Sequence, residues 1–172
     1  SATFTHGRQM GKTLILPVRW NLATAKPVLG INPAEKLLTN GIRGSLKYSD
    51  FEWCSWTNND SVSFTIDLLK PEVLNTLTLG CITNNGMAIH KPASVKVEVS
   101  DDNSNFREAA MQSFTPEEIF REGNFIENLP LKLGGTQGRY VRVSAKGPGV
   151  CPASHVRSGQ ASRIFFDEVM LE

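Results

Sequence analysis

The clearest regularity along the chain is an alternation of apolar and polar positions with a period of two. Over Ser61–Leu68, Val62, Phe64, Ile66 and Leu68 alternate with Ser61, Ser63, Thr65 and Asp67. That is the spacing of a strand with one face in a core and the other toward water. Val73–Cys81 resumes it through Val73, Leu77, Leu79 and Cys81, with Pro71 and Asn75 interrupting the lead-in. Ser94–Ser100 sets Val95, Val97 and Val99 against Lys96 and Glu98, and Arg139–Ala145 sets Val141, Val143 and Ala145 against Tyr140 and Arg142. Arg163–Leu171, rich in Ile164, Phe165, Phe166, Val169 and Leu171, predicts a closing strand, and Thr13–Val18 an early one.

Turn-forming residues separate these runs: Asn84-Asn85-Gly86, Asp101-Asp102-Asn103-Ser104-Asn105, Gly134-Gly135 and Gly147-Pro148-Gly149. Only Thr115–Glu122 predicts a helix, with Thr115 as N-cap, Pro116 at the first helical position and Glu118 placed for a capping box. Many strands and almost no helix imply an all-β sandwich or jelly roll. At 172 residues the chain fits one domain, 1–172, with residues 1–20 a linker or a leading strand.

Charge and cysteine content narrow the function. The 18 basic and 17 acidic residues nearly cancel and no block of like charge occurs. A nucleic-acid partner or a polybasic membrane anchor is therefore not expected. No apolar run approaches the ~20 residues of a membrane helix, and Ser1-Ala2-Thr3 does not open a signal peptide. Cys54, Cys81 and Cys151 are far apart and form no CxxC pair, which argues against a zinc ribbon or a thioredoxin-like site. Three is odd, so at least one thiol is free or bonded outside the chain. One disulfide is allowed without a choice of pair, and the plain reading is of small buried hydrophobes.

Two long loop regions stand out, and loops of that length in a sandwich are more often functional than idle. Residues 40–60 carry Tyr48, Phe51, Trp53 and Trp56, and residues 147–162 carry His155 and Arg157. Aromatic rings offer flat faces to the C–H faces of sugars, while neighbouring polar side chains hydrogen-bond the hydroxyls. Asn84, Asn85, Met87 and His90, in the turn after the Leu77–Cys81 run, are placed to lean over the same surface. Each of these residues also has an ordinary reading, as a plug at the end of the sandwich or as a solvated loop side chain. Catalysis is not expected. Asp50 with Glu52 and Asp167 with Glu168 are carboxylate pairs in sequence, but nothing sets them across a cleft. No GxSxG, HExxH, P-loop or GxGxxG signature is present, and His6, His90 and His155 lack metal-ligand spacing. The oxygen-rich stretch Leu38–Ser45, with a distant carboxylate such as Glu168, is suited to a hard cation such as Ca²⁺ or is an ordinary turn.

Together these residues resemble the discoidin, or coagulation factor V/VIII C-type, superfamily, and more narrowly family 32 carbohydrate-binding modules. The likeness spans Asn21–Leu171. It rests on Leu38-Thr39-Asn40-Gly41-Ile42-Arg43-Gly44-Ser45 with Tyr48-Ser49-Asp50 and Trp53, and on Lys91–Asp102 with its Ser100-Asp101-Asp102 hairpin and Phe106. The closing segments are Arg139–Val143, Gly149–Pro152 and Ile164–Val169. The Leu-Thr-x-Gly-Ile-Arg-Gly-Ser and Phe-x-Asp-Glu versions look most like the domain appended to family 20 β-N-acetylhexosaminidases (chitobiases).

The resemblance implies a discoidin-type jelly roll that is secreted, periplasmic or on the cell surface. It implies a non-catalytic carbohydrate-binding module that targets an attached glycoside hydrolase to glycans containing galactose or N-acetylhexosamine. The glycans and the catalytic domain of the parent enzyme would be its partners. Sugar contacts are expected from Tyr48, Trp53, Trp56, Asn84, His90, His155 and Arg157. Replacing Trp53 or Trp56 with Ala is then expected to abolish binding without unfolding the domain. The resemblance also implies a structural Ca²⁺ at Asn40, Arg43, Ser45 and Glu168, although Asn40-Gly41 stands where many relatives have Asp-Gly and so lacks one negative charge. The alternatives are a packing or protein-interaction domain without sugar affinity and, more weakly, a lipid-headgroup binder.

Overall fold

The computed structural model describes residues 19–22, 38–39, 41–57 and 62–172. In chain order its elements are β1 (Arg19–Leu22), β2 (Cys54–Thr57), β3 (Val62–Asn84), a 3-10 turn (Asn85–Met87), β4 (Ser94–Ser100) and β5 (Arg107–Ser113). A one-turn helix α1 (Pro116–Ile119), β6 (Asn124–Lys146) and β7 (Arg163–Leu171) follow. The architecture hangs on β3 and β6, each 23 residues long and paired antiparallel from Val62↔Ala145 to Asn84↔Asn124. Their register breaks between Asp67 and Glu72 and again between Leu74 and Thr76. There Leu69, Gly134 and Gly135 take positive φ of 68°, 65° and 78°.

At that bend the ladder folds over on itself. Below it, β3 carries β1 and β6 carries β4, which in turn carries β5. Above it, β3 carries β7, which carries β2. The two halves face each other as the layers of a sandwich. Val62, Phe64, Ile66, Val95, Val97, Val99, Val141 and Val143 meet Leu77, Leu79, Leu129, Leu131, Ile164, Phe166, Val169 and Leu171 in one buried core. This is the all-β jelly-roll class that the alternation predicts.

Several expectations are refined. The described part of the first run, 62–68, and the run at 73–81 are one bent strand, with Pro71 exposed at the corner where no ladder bond is lost. Gly134-Gly135 is the matching bend of β6 rather than a turn between strands. Ser94–Ser100 and Arg163–Leu171 are strands as read, while Thr13–Val18 lies outside the described residues. The predicted helix shortens to one turn, but its capping box is present: Glu118 N–H donates to Thr115 Oγ1 and Thr115 N–H to a Glu118 carboxylate oxygen. In the β4–β5 turn, Asp102 accepts from the Ser104 and Asn105 N–H groups and from the Ser100 hydroxyl, which is the role of the Ser-Asp-Asp motif.

A bulge organises the outer face of β7. Leu79 pairs with Val169 and Cys81 with Phe166, so Asp167 and Glu168 together oppose Gly80 alone. The extra residue resets the inside–outside alternation. Phe166 and Val169 both stay in the sandwich core, while the two adjacent carboxylates turn to the other face. There residues 41–53 cover them. Arg43 Nε donates to Asp167 Oδ2 at 2.7 Å, Gly44 N–H to the same oxygen at 2.9 Å, and Gly41 N–H to Glu168 Oε2 at 2.9 Å. Burial pushes the Asp167 carboxyl above its ordinary pKa, and the Arg43 charge and these donors pull it back.

Gly80 makes the arrangement possible. A Cβ there would lie 2.0 Å from Asp167 Oδ1 and 2.6 Å from Arg43 Nη2. Gly80→Ala is therefore expected to destabilise the domain by about 1–3 kcal/mol through overpacking alone. The measurement is a urea unfolding curve, in which the midpoint falls while the slope is unchanged. An unshifted midpoint would mean that the Arg43–Asp167 contact is not tight against Gly80.

Candidate functional site

The aromatic loop does not build a binding surface from its tryptophans. Trp56, on β2, is 1% exposed and lies in the main core with its ring 5.6 Å from that of Phe166. Trp53 is 5% exposed and packs with Ile82, Ile89 and Phe165 in a second cluster on the outer face of the β3–β7 layer. Its indole N–H donates to the Ser45 carbonyl, and its ring lies against Gly44, where a Cβ would come within 2.2 Å. Tyr48 meets Phe165 edge-on, 6.3 Å between centroids, and is half-buried. The expectation that Trp53 and Trp56 present faces to a sugar is thus corrected. Bulky rings in a segment that closes over a sheet serve first to bury area. The ring that this loop does expose is Phe51, at 64%.

His90 is corrected likewise. It is fully buried, and burial with the neighbouring His155 lowers its pKa to about 4, against a smaller upward pull from the Ile119 carbonyl. It is neutral at physiological pH and cannot meet a ligand at the surface. Cys54 and Cys81 are free and buried in the core, and burial pushes the Cys54 thiol up to about 12 and Cys81 higher still. They behave as small hydrophobes.

A cleft does lie at this end of the sandwich, built from three segments. The first is the turn after β3, where Asn84 and Ile89 exchange backbone hydrogen bonds and Ala88 takes φ 53°. The second runs from α1 into β6, tied to the first by Asn85 N–H donating to the Gly123 carbonyl. The third is the 147–162 loop. It is closed on itself by Cys151 N–H to Gln160, Gly159 N–H to Cys151 and Ser162 N–H to Gly149. Arg157 Nε donating to the Gly86 carbonyl binds it to the first segment, and Arg163 Nη2, at the start of β7, donates to the Met87 carbonyl of that segment.

The cleft measures about 370 Å³ and is lined by Asn85, Phe120, Glu122, Gly123, Pro152, Ser154, His155 and Val156. It offers the Phe120 ring, the His155 imidazole, one carboxylate, an amide and a hydroxyl. Of the residues expected from sequence, His155 is in its wall, and Asn84 and Arg157 are in its bounding segments. Tyr48, Trp53, Trp56 and His90 are not among its lining. Phe120 and Glu122 were not anticipated. They fall in the stretch that reads as helix, and nothing in local sequence says that it packs beside the 147–162 loop.

Of the four residues expected to hold a calcium ion, one keeps an oxygen available. Asn40 lies outside the described residues. Arg43 holds Asp167, and Ser45 turns its carbonyl to the Trp53 indole and its hydroxyl to the Lys47 N–H, so both are corrected as cation ligands. Glu168 fits: Oε1 is buried without a hydrogen-bond partner, and burial raises the pKa to about 8 against the pull of the Gly41 N–H.

An antiparallel sandwich folded on two long strands, with loops gathered into a cleft at one end, is the architecture of discoidin-type domains. Residues 26–158 match the model of the F5/8 type C domain, and the chain belongs to that family. Solved structures share the fold at low identity. A family 32 carbohydrate-binding module of Clostridium perfringens, solved with GalNAc-β-1,3-galactose, is 16% identical with a TM-score of 0.55, over 90% of this chain and 94% of that one. The C-terminal domain of a chitobiase from Bacteroides fragilis is 16% identical with a TM-score of 0.52, over 93% and 96%. A chitosan-binding module from a chitosanase/glucanase of Paenibacillus sp. IK-5 is 13% identical with a TM-score of 0.55, over 92% and 96%. No curated protein sequence matches the chain.

The placement of Trp56 makes a direct prediction. Trp56→Ala is expected to cost about 3–5 kcal/mol, the range for truncating a fully buried Trp. The loss is read from thermal or urea unfolding of the purified variant. A variant as stable as the parent would put the ring outside the core.

Proposed function

We propose that this domain is a non-catalytic carbohydrate-binding module, and that the cleft bounded by Asn85, Phe120, Glu122 and Ser154 is its sugar site. The observation that carries the reading is this mixed lining at the loop end of the sandwich. A Phe120 ring can take the apolar face of a pyranose, while the Asn85 amide, Glu122 carboxylate and Ser154 hydroxyl accept or donate hydrogen bonds around it. Arg157, at the rim, adds a cation that suits a hydroxyl pair or an acidic sugar. Asn84 and Tyr48 support the surrounding turns.

The similar Clostridium perfringens module was solved with GalNAc-β-1,3-galactose, and the similar Paenibacillus module is chitosan-binding. On this reading the chain holds an attached glycoside hydrolase of chitobiase type at such glycans outside the cell or in the periplasm. Among the described residues no helix is long and apolar enough to cross a membrane. The cleft is small and its polar groups must shed water, so single-site affinity is weak. Tethering to the enzyme raises the effective concentration enough to make that weakness useful.

A glycan array with the purified domain tests the reading, followed by calorimetry on the best ligand. Phe120→Ala and Arg157→Ala are each expected to weaken binding by tenfold or more, about 1.4 kcal/mol, with folding retained. Silence of the folded wild-type domain across the array would reject the sugar site in favour of a domain that packs on a catalytic partner.

We also propose that Glu168 holds a structural Ca²⁺ through its free Oε1. The ion would neutralise a buried carboxylate without taking part in sugar recognition. Calcium is expected to raise the melting temperature, EDTA to reverse the rise, and Glu168→Gln to remove the response. A wild-type melting curve indifferent to millimolar calcium would overturn this assignment.

A further inference from the structure

Beneath the cleft, three side chains that no sequence motif unites come together. His90 arrives from the segment after the 3-10 turn, and Cys151 and His155 from the 147–162 loop. All three are buried, and one potential ligand atom from each lies within 4.8 Å of the others. His90 Nε2 is 3.8 Å from Cys151 Sγ, and the two imidazoles meet edge-to-face with centroids 4.9 Å apart. His155 Nε2 is buried without a hydrogen-bond partner. Desolvating such a nitrogen costs about 1–3 kcal/mol unless something takes it up.

We propose that His90 Nε2, Cys151 Sγ and His155 Nε2 form a binding site for Zn²⁺ or a metal of similar softness. One thiolate and two imidazoles are a donor set suited to zinc. Tetrahedral zinc, with bonds of about 2.0–2.1 Å to nitrogen and 2.3 Å to sulfur, sets neighbouring donors roughly 3.3–3.7 Å apart. The His90–Cys151 pair already stands near that separation, and the widest pair closes by about 1 Å.

The surroundings suit the ligands. The Ser162 hydroxyl lies 3.4 Å from Cys151 Sγ, placed to donate to a thiolate. The Ile119 carbonyl borders the His90 ring, whose Nδ1 is buried without a hydrogen-bond partner. Phe120 closes a third side, its ring centroid 5.0 Å from that of His90 and 6.0 Å from that of His155. The spacing Cys151-x₃-His155 is short because His155 N–H donates to the Pro152 carbonyl, so one turn presents both ligands.

Binding has one local consequence. His155 Nδ1 now accepts the Arg157 N–H at 2.9 Å, which places the ring proton on Nε2. Coordination through Nε2 moves that proton to Nδ1 and ends the bond, freeing an N–H in an exposed part of the loop. The thiol proton of Cys151 is released to solvent, so the step is balanced by one proton lost per metal bound. Three protein ligands leave a fourth position, and the nearest opening is the cleft, whose wall includes His155. The metal would thus fasten the 147–162 loop to the turn beside it, whatever ligand the cleft accepts.

Cobalt(II) titration of the reduced, metal-free 172-residue domain tests this without reference to sugar. The expected result is one equivalent bound with tetrahedral d–d bands and a thiolate-to-cobalt charge-transfer band, both erased by Zn²⁺. Cys151→Ser is expected to lose the charge-transfer band, whereas Cys54→Ser keeps it. His155→Ala is expected to weaken Zn²⁺ at least tenfold, measured by competition with a chromophoric chelator. A wild-type titration without a charge-transfer band, or a band that persists in Cys151→Ser, would overturn the proposal. The wild-type titration decides even if a variant fails to fold.

Discussion

Burial of two adjacent carboxylates on one strand is the constraint around which this end of the domain is arranged. Asp167 and Glu168 can share the outer face of β7 only because a bulge sets them both against Gly80. Once there, with at most 1% of either residue exposed, they require partners. An ionised carboxylate in such surroundings is several kcal/mol too high in energy unless a charge or N–H donors meet it. Residues 41–44 supply the Arg43 guanidinium and the Gly44 N–H for one oxygen of Asp167, and the Gly41 N–H for one oxygen of Glu168. Leu38 then closes the cover by accepting the Val169 N–H. Three glycines in this network, Gly41, Gly44 and Gly80, are there for approach or for φ. Gly41 adopts φ 78°, and the other two face atoms that leave no room for a side chain.

The aromatic loop follows from that cover. A segment that runs over an exposed β3–β7 face must bury apolar area to remain there, and Trp53 with Tyr48 does so against Phe165, Ile82 and Ile89. The Ser45 carbonyl takes the indole N–H, so the polar edge of Trp53 is satisfied as well. Composition suggested a stacking platform, but the rings are the fastening. The cleft at the loop end is built instead by the neighbouring segments, where Phe120, Glu122, Asn85 and Ser154 converge.

That cleft stands on a buried group of two imidazoles and a thiol, and the arrangement ties its walls together. Arg157 reaches from one wall to a carbonyl of the other, and Arg163 reaches there from the start of β7. A loop pinned at this many backbone positions loses little entropy when a ligand arrives, which favours binding in a site of small area. The same pinning explains how residues 61 positions apart, His90 and Cys151, hold a fixed separation.

The sequence by itself determined the class of fold and much of its detail. Period-two alternation at 61–68, 94–100 and 139–145 marks half-buried strands because each has one wet face. The Thr115–Glu118 capping box, the Ser100-Asp101-Asp102 turn and the family resemblance are likewise local signals, carried by residues that touch their own neighbours. The first half of β6 was not legible, since Pro130 interrupts its Leu129–Leu133 alternation, and neither was β5, an edge strand with mostly exposed side chains. Tertiary structure alone decided which aromatic rings are buried, that Asp167 and Glu168 lie on the same face, and that His90 meets Cys151 and His155. The physical reason is the same in each case. Burial and contact depend on what a second, distant segment lays over a residue, and the fold of β3 and β6 about their bend sets that pairing, not the local pattern.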